Sequence, residues 1–153
     1  MGFQGGAGPN ITEWTNYTQT IIGETSNPTK GTTNVDTAAF KVVGKTLYLK
    51  WAFEMVAAGA AGVGHYRFPI PAGFTIDVGK IRQNFGNMVS TAGAAFAEQT
   101  GTKRFGVITV VSNTELKLFI ESGEGLAQFV SSSFFAISVA NTSFSFSAEL
   151  PIV

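Results

Sequence analysis

The sequence predicts an all-β domain, an antiparallel β-sandwich of the jelly-roll type with about eight strands. Three observations lead there. Residues 45–56, KTLYLKWAFEMV, place Leu47, Leu49, Trp51, Phe53 and Met55 at every second position, with Tyr48, Lys50, Ala52 and Glu54 between them. That is an extended strand with one dry and one wet face. Similar short runs recur along the chain, separated by Gly, Pro and Asn clusters at intervals of roughly 8–15 residues. No convincing window sets apolar residues at i, i+3, i+4 and i+7, as an amphipathic helix requires.

The elements follow in order. ITEWTNYTQTII (11–22) is rich in Thr and aromatics and reads as strand. TAAFKVV (37–43) runs into the opening stretch through a tight Gly44-Lys45 connection. HYRFPI (65–70) alternates, with Tyr66, Phe68 and Ile70 opposite His65 and Arg67. MVSTAGAAFAEQTG (88–101) is the best helical candidate, weakened by Gly93 and Gly101, and strand and helical turn both stay open for it. RFGVITVV (104–111) is apolar on both sides, as a strand covered on both faces would be. In TELKLFIE (114–121), Leu116, Leu118 and Ile120 oppose Glu115, Lys117, Phe119 and Glu121. QFVSSSFFAISV (128–139) holds one or two strands. SFSFSAEL (143–150) points Phe144, Phe146, Ala148 and Leu150 inward. The joints are 26–34, 57–65, 69–77, 113–115 and 121–125. The second, AAGAAGVGH, has the small residues of a flexible loop or of one that lets another backbone come near.

The chain has 153 residues, enough for one domain with a real core. Residues 1–10 form a Gly-rich leader and 11–153 a single head domain. Charged residues make up 13% and the formal net charge is +0, so there is no field for phosphate and no nucleic-acid partner is expected. With no cysteine, disulfides, thiolate catalysis and Cys-ligated metals are excluded. No apolar run reaches the roughly 18 residues of a membrane span, so membrane insertion is not expected. MGFQGGAGPN lacks the basic and apolar regions of a secretory signal.

Catalytic patterns are weak. His65 is the only histidine, so a Ser-His-Asp triad would need it with Asp36 or Asp77. No Gly-x-Ser-x-Gly elbow is present, and a lone His beside a Gly-rich loop is more often an edge residue. Neither a His pair nor a calcium-loop pattern appears, so no metal and no other cofactor is expected. AAGVGHY lacks the Lys-Ser/Thr of a phosphate loop. Glu13, Glu54, Glu115, Glu121 and Glu149 mostly fall on wet strand sides, which solvation explains better than glycoside hydrolysis. The expectation is a protein that is not an enzyme. Trp14, Tyr17, Tyr48 and Tyr66 could stack on sugars, although strand aromatics are more often core or interface. Three Asn-x-Ser/Thr matches, at Asn10, Asn16 and Asn141, are of the kind chance produces in a chain rich in these residues.

Two features point to self-association. Some strands are apolar on both faces, and one sandwich has only one inner layer, so the surplus needs a cover. The leader also sets Gly2, Gly5 and Gly8 at every third place, the spacing of a three-chain collagen helix, although three triplets cannot form one alone. A homotrimer is expected, with Tyr48, Phe119, Phe129 and Phe135 as interface candidates.

The phrases TEWTNYTQTI, GETSNPTKGTT, AAFKVVGKTLYLKW, GHYRFPIPAG and SFSFSAELPI occur in that order. Together they resemble the C-terminal jelly-roll domains of bacteriophage virion fibres and appendages. Those domains are similar to the trimeric heads of the complement and tumour-necrosis-factor families. The resemblance covers 11–153 and carries no fixed receptor residues. It implies a virion location, other virion proteins as partners, and a homotrimer that binds a host-surface glycan or protein or decorates the particle. A chain beginning at Met1 with almost no stalk departs from a long fibre. A capsid decoration protein without a receptor role and a carbohydrate-binding module are the alternatives.

Overall fold

The dry face of residues 45–56 packs against the far limb of its own sheet. The computed structural model describes residues 13–81, 91–123 and 126–153. The leader at 1–10 lies outside the described residues. Among the described residues there are ten strands: β1 (Thr15–Tyr17), β2 (Ile22–Gly23), β3 (Thr33–Val43), β4 (Thr46–Met55), β5 (Tyr66–Pro69), β6 (Thr91–Gln99), β7 (Thr102–Val110), β8 (Glu115–Gly123), β9 (Leu126–Phe129) and β10 (Thr142–Pro151). The one helical element is a single 3-10 turn, Val78–Lys80, among the described residues.

Every strand pair is antiparallel. The order across the sheet is β1-β3-β4-β10-β6-β7-β8-β5-β2, and β9 pairs with β8 off this path. β4 and β5 are five steps apart, which in a flat sheet would be about 24 Å. Yet the Trp51 and Phe68 rings lie 5.4 Å apart, and Phe68 lies 6.1 Å from Phe146. The sheet therefore curls until its two limbs face each other. This corrects the expected count of about eight strands and the picture of two separately bonded sheets. The layers are limbs of one sheet.

The curl has local causes. Gly93 in β6 follows a register shift, and a Cβ there would strike the Ser147 carbonyl oxygen. A Cβ on Gly106 in β7 would strike the Phe119 carbonyl oxygen. Glycine and bulges in strands permit such tight bends.

The core follows the alternation. Leu47, Leu49, Trp51, Phe53 and Met55 are all buried, as are Leu116, Leu118, Ile120, Phe144, Phe146, Ala148 and Leu150. The helical candidate is strand β6. Its register explains its alanines, because Ala97 sits beside Phe144 and Ala95 beside Phe146. A small side chain beside each ring lets the layer fill without overlap. Thr100 and Gly101, at φ 48° and 83°, close the β6–β7 hairpin as a two-residue turn with both φ positive.

Three other expectations change in detail. Residues 11–22 yield two short strands, β1 and β2. Strand β3 begins at Thr33, inside the expected joint. The 128–139 stretch is strand only to Phe129 and then turns at Ser131, whose Oγ accepts from the Ser133 and Phe134 amides. The joint at 57–65 is closely packed. It exchanges backbone hydrogen bonds with Thr25, Ser26 and Thr29, and a Cβ on Gly59 would strike the Thr29 carbonyl oxygen.

Candidate functional site

The outer face of the sheet divides into two halves with different chemistry. Register sets the rows. Asn16, Ala39, Lys50, Ser147, Ala94, Val107 and Phe119 stand side by side from β1 to β8. A second row runs Thr37, Ala52, Ser145, Phe96 and Phe105. A third joins Lys41, Tyr48 and Glu149. The middle of this face is a floor of Ala and Ser.

On the β1-β3-β4 half, Trp14 rises from that floor, 43% exposed. The Lys50 ammonium lies 4.2 Å from the indole centre and that of Lys41 5.1 Å. Lys41 is also 5.3 Å from the Tyr48 ring. Among the described residues, neither lysine has a carboxylate within ion-pair distance. A hollow of about 470 Å³ on one side of Trp14 is lined by Tyr48, Lys50, Ser147 and Glu149. A second, of about 370 Å³, is lined by Asn16, Thr37, Ala39, Lys50 and Ala52.

On the β6-β7 half, Phe105 is 72% exposed and lies 5.4 Å from Phe96, centre to centre. Val107 and Phe119 continue the apolar strip toward β8.

Beyond β8 the outer side is ionic. Lys117, buried, donates to Glu24 at 2.7 Å and lies 3.4 Å from His65 Nδ1. Arg67 reaches Glu24 at 3.7 Å and Glu115 at 3.2 Å. The Lys117 hydrogen bond, the His65 amide and the nearby charges hold the Glu24 carboxyl at about 2.

The four sugar-stacking candidates separate. Tyr66 is fully buried, its hydroxyl donating to the Ala61 carbonyl and accepting from the Ile137 amide. Tyr17 donates to Gln19 and packs on Phe40, and burial pushes its phenol up. Trp14 and Tyr48 remain together on the outer face. The four interface candidates also separate. Tyr48 and Phe119 are half-buried on the outer face. Phe135 is 5% exposed, within the core cluster, at φ 54°. Phe129 pairs with Phe119 in register, and its side chain lies outside the described ones. The exposure of Phe105 beside Phe96 is not foreseen from the sequence, because alternation alone does not say which strand face stays uncovered.

No triad assembles on His65. Asp36 is taken by Lys30 and the Trp51 indole N–H, and Asp77 by Lys80, which holds its carboxyl below the ordinary range. No cluster of three or more His, Asp or Glu suited to a metal occurs among the described residues. Nor is any helix among them long and apolar enough to cross a membrane.

No family model and no curated protein sequence matches this chain. Among solved structures, the Dettilon tailspike protein is similar in fold, with a TM-score of 0.55 at 11% identity. The match covers 92% of this chain and 24% of the tailspike chain, so this chain spans about a quarter of that protein.

Proposed function

We propose that this chain is a non-enzymatic domain of a bacteriophage virion appendage, a homotrimeric head that meets a host surface or decorates the particle. Its fold, shared with part of a tailspike protein, supports the appendage reading at a coarse level. The observation that carries self-association is Phe105, 72% exposed and tilted against Phe96 on the outer face. Large exposed rings beside Val107 mark a surface meant to be covered. Three copies meeting along this strip would leave each Trp14 half facing outward, and three weak sites on one rigid body bind by avidity. The trimeric heads of the complement and tumour-necrosis-factor families are the architectural parallel for this arrangement.

Light scattering on a sizing column tests it. The expected mass is three times 16.2 kDa, falling to one chain in Phe105→Asp. A parent protein that is monomeric at micromolar concentration overturns the trimer. Binding to assembled capsids but not to host cells would favour the decoration role.

A further inference from the structure

We infer that the Trp14 ridge and its two flanking hollows form a binding site for a saccharide that carries carboxylate groups. This deepens the receptor arm of the reading above and rests on it only for the host surface as the ligand's source.

The argument starts with the shape. Trp14 stands on a floor of small residues, so the two hollows are shallow troughs on either side of one exposed ring. A sugar ring has an apolar C–H face that lies on an aromatic side chain and hydroxyls that need hydrogen-bonding neighbours. Asn16 and Thr37 on one side, Ser147 and Glu149 on the other, supply those neighbours. The charge selects the kind of sugar. Lys41 and Lys50 bring two ammonium groups to the ridge, and among the described residues no carboxylate neutralises either. A ligand carboxylate is the missing partner; Lys50 lines both troughs and can meet it from either, with Lys41 adding a second positive charge at the ridge.

The test is a titration of the full chain with an oligogalacturonate, a neutral cello-oligosaccharide and an oligothymidylate of matched charge. Tryptophan emission reports it, because Trp51 is buried and Trp14 is the exposed one of the two. The expected result is a saturable change with the acidic saccharide and at least roughly tenfold weaker binding of the neutral one, a difference of about 1.4 kcal/mol. Lys41→Met with Lys50→Met removes that preference, and Trp14→Ala removes binding when read by calorimetry. No saturable response to the acidic saccharide overturns the inference. So do equal affinities for the acidic and neutral saccharides, an equal response to the oligothymidylate, or binding that survives Trp14→Ala. The readout does not depend on assembly. A monomer that binds the acidic saccharide sinks the trimer and keeps this site, and a trimer that binds nothing does the reverse.

Discussion

Both tryptophans of this chain stand beside lysines, and they sit on opposite faces of the same sheet. Trp51 is 2% exposed, packed among Phe53, Phe68, Phe144 and Phe146. Lys30 lies 5.7 Å from its ring, and that lysine is held by Asp36 at 2.6 Å, which also accepts the Trp51 indole N–H. Trp14 has Lys41 and Lys50 at similar range and no such carboxylate. The carboxylate makes the difference. With Asp36 present, the cation and the indole satisfy each other inside the fold and nothing is left to offer. Without one, both remain available to a ligand.

Breaking the inner site has the largest expected effect. Trp51→Ala empties the centre of a ring cluster and removes one of the two partners of Asp36, and is expected to cost about 3–5 kcal/mol, read by denaturant unfolding. A smaller effect comes from removing the charge of a buried lysine's carboxylate partner elsewhere. Glu24→Gln withdraws the carboxylate from buried Lys117 and is expected to cost about 1 kcal/mol at neutral pH, since Glu24 itself is partly solvated. The native Glu24 carboxyl titrates at about 2 against an ordinary 4.5. Its contribution is thus fully present above the higher value and is lost as pH falls through the lower. The melting-temperature gap between the two proteins should narrow below pH 4.5 and vanish near pH 2. A gap that persists in acid would mean that Glu24 acts through packing. The smallest effect is at Trp14. Trp14→Ala should change stability by no more than about 0.5 kcal/mol, as an exposed position does. A loss comparable with that at Trp51 would make Trp14 structural and remove the contrast.

Much of the fold was legible because side-chain parity is strict along a strand. The inward sets of β4, β8 and β10 could be read directly, since apolar residues hold every second position there. β6 was not legible, because alanine declares neither period nor face. Its role is set by Phe144 and Phe146, which are distant in sequence and adjacent only through register. The curl was hidden for the same reason, as Gly93 and Gly106 matter only through the neighbouring backbone each one admits. Of the site, the Lys41–Tyr48 pairing follows from the short Gly44-Lys45 turn that sets the hairpin register. The arrival of Trp14 beside them depends on β1 docking to β3 across a stretch of joints, which no local pattern encodes.

The position of β10 bears on how the chain is made. Strand β10 lies between β4 and β6, so the last strand in sequence joins the two limbs in the middle of the sheet. A ribosome delivers the β3–β4 hairpin early and the β6–β7–β8 meander later. Until residues 142–151 emerge, each piece keeps an open edge and a bare apolar face. Newly made chains therefore pass through a period in which two sticky halves wait for one strand, and crowded synthesis is where sister chains are most exposed to pairing with each other instead.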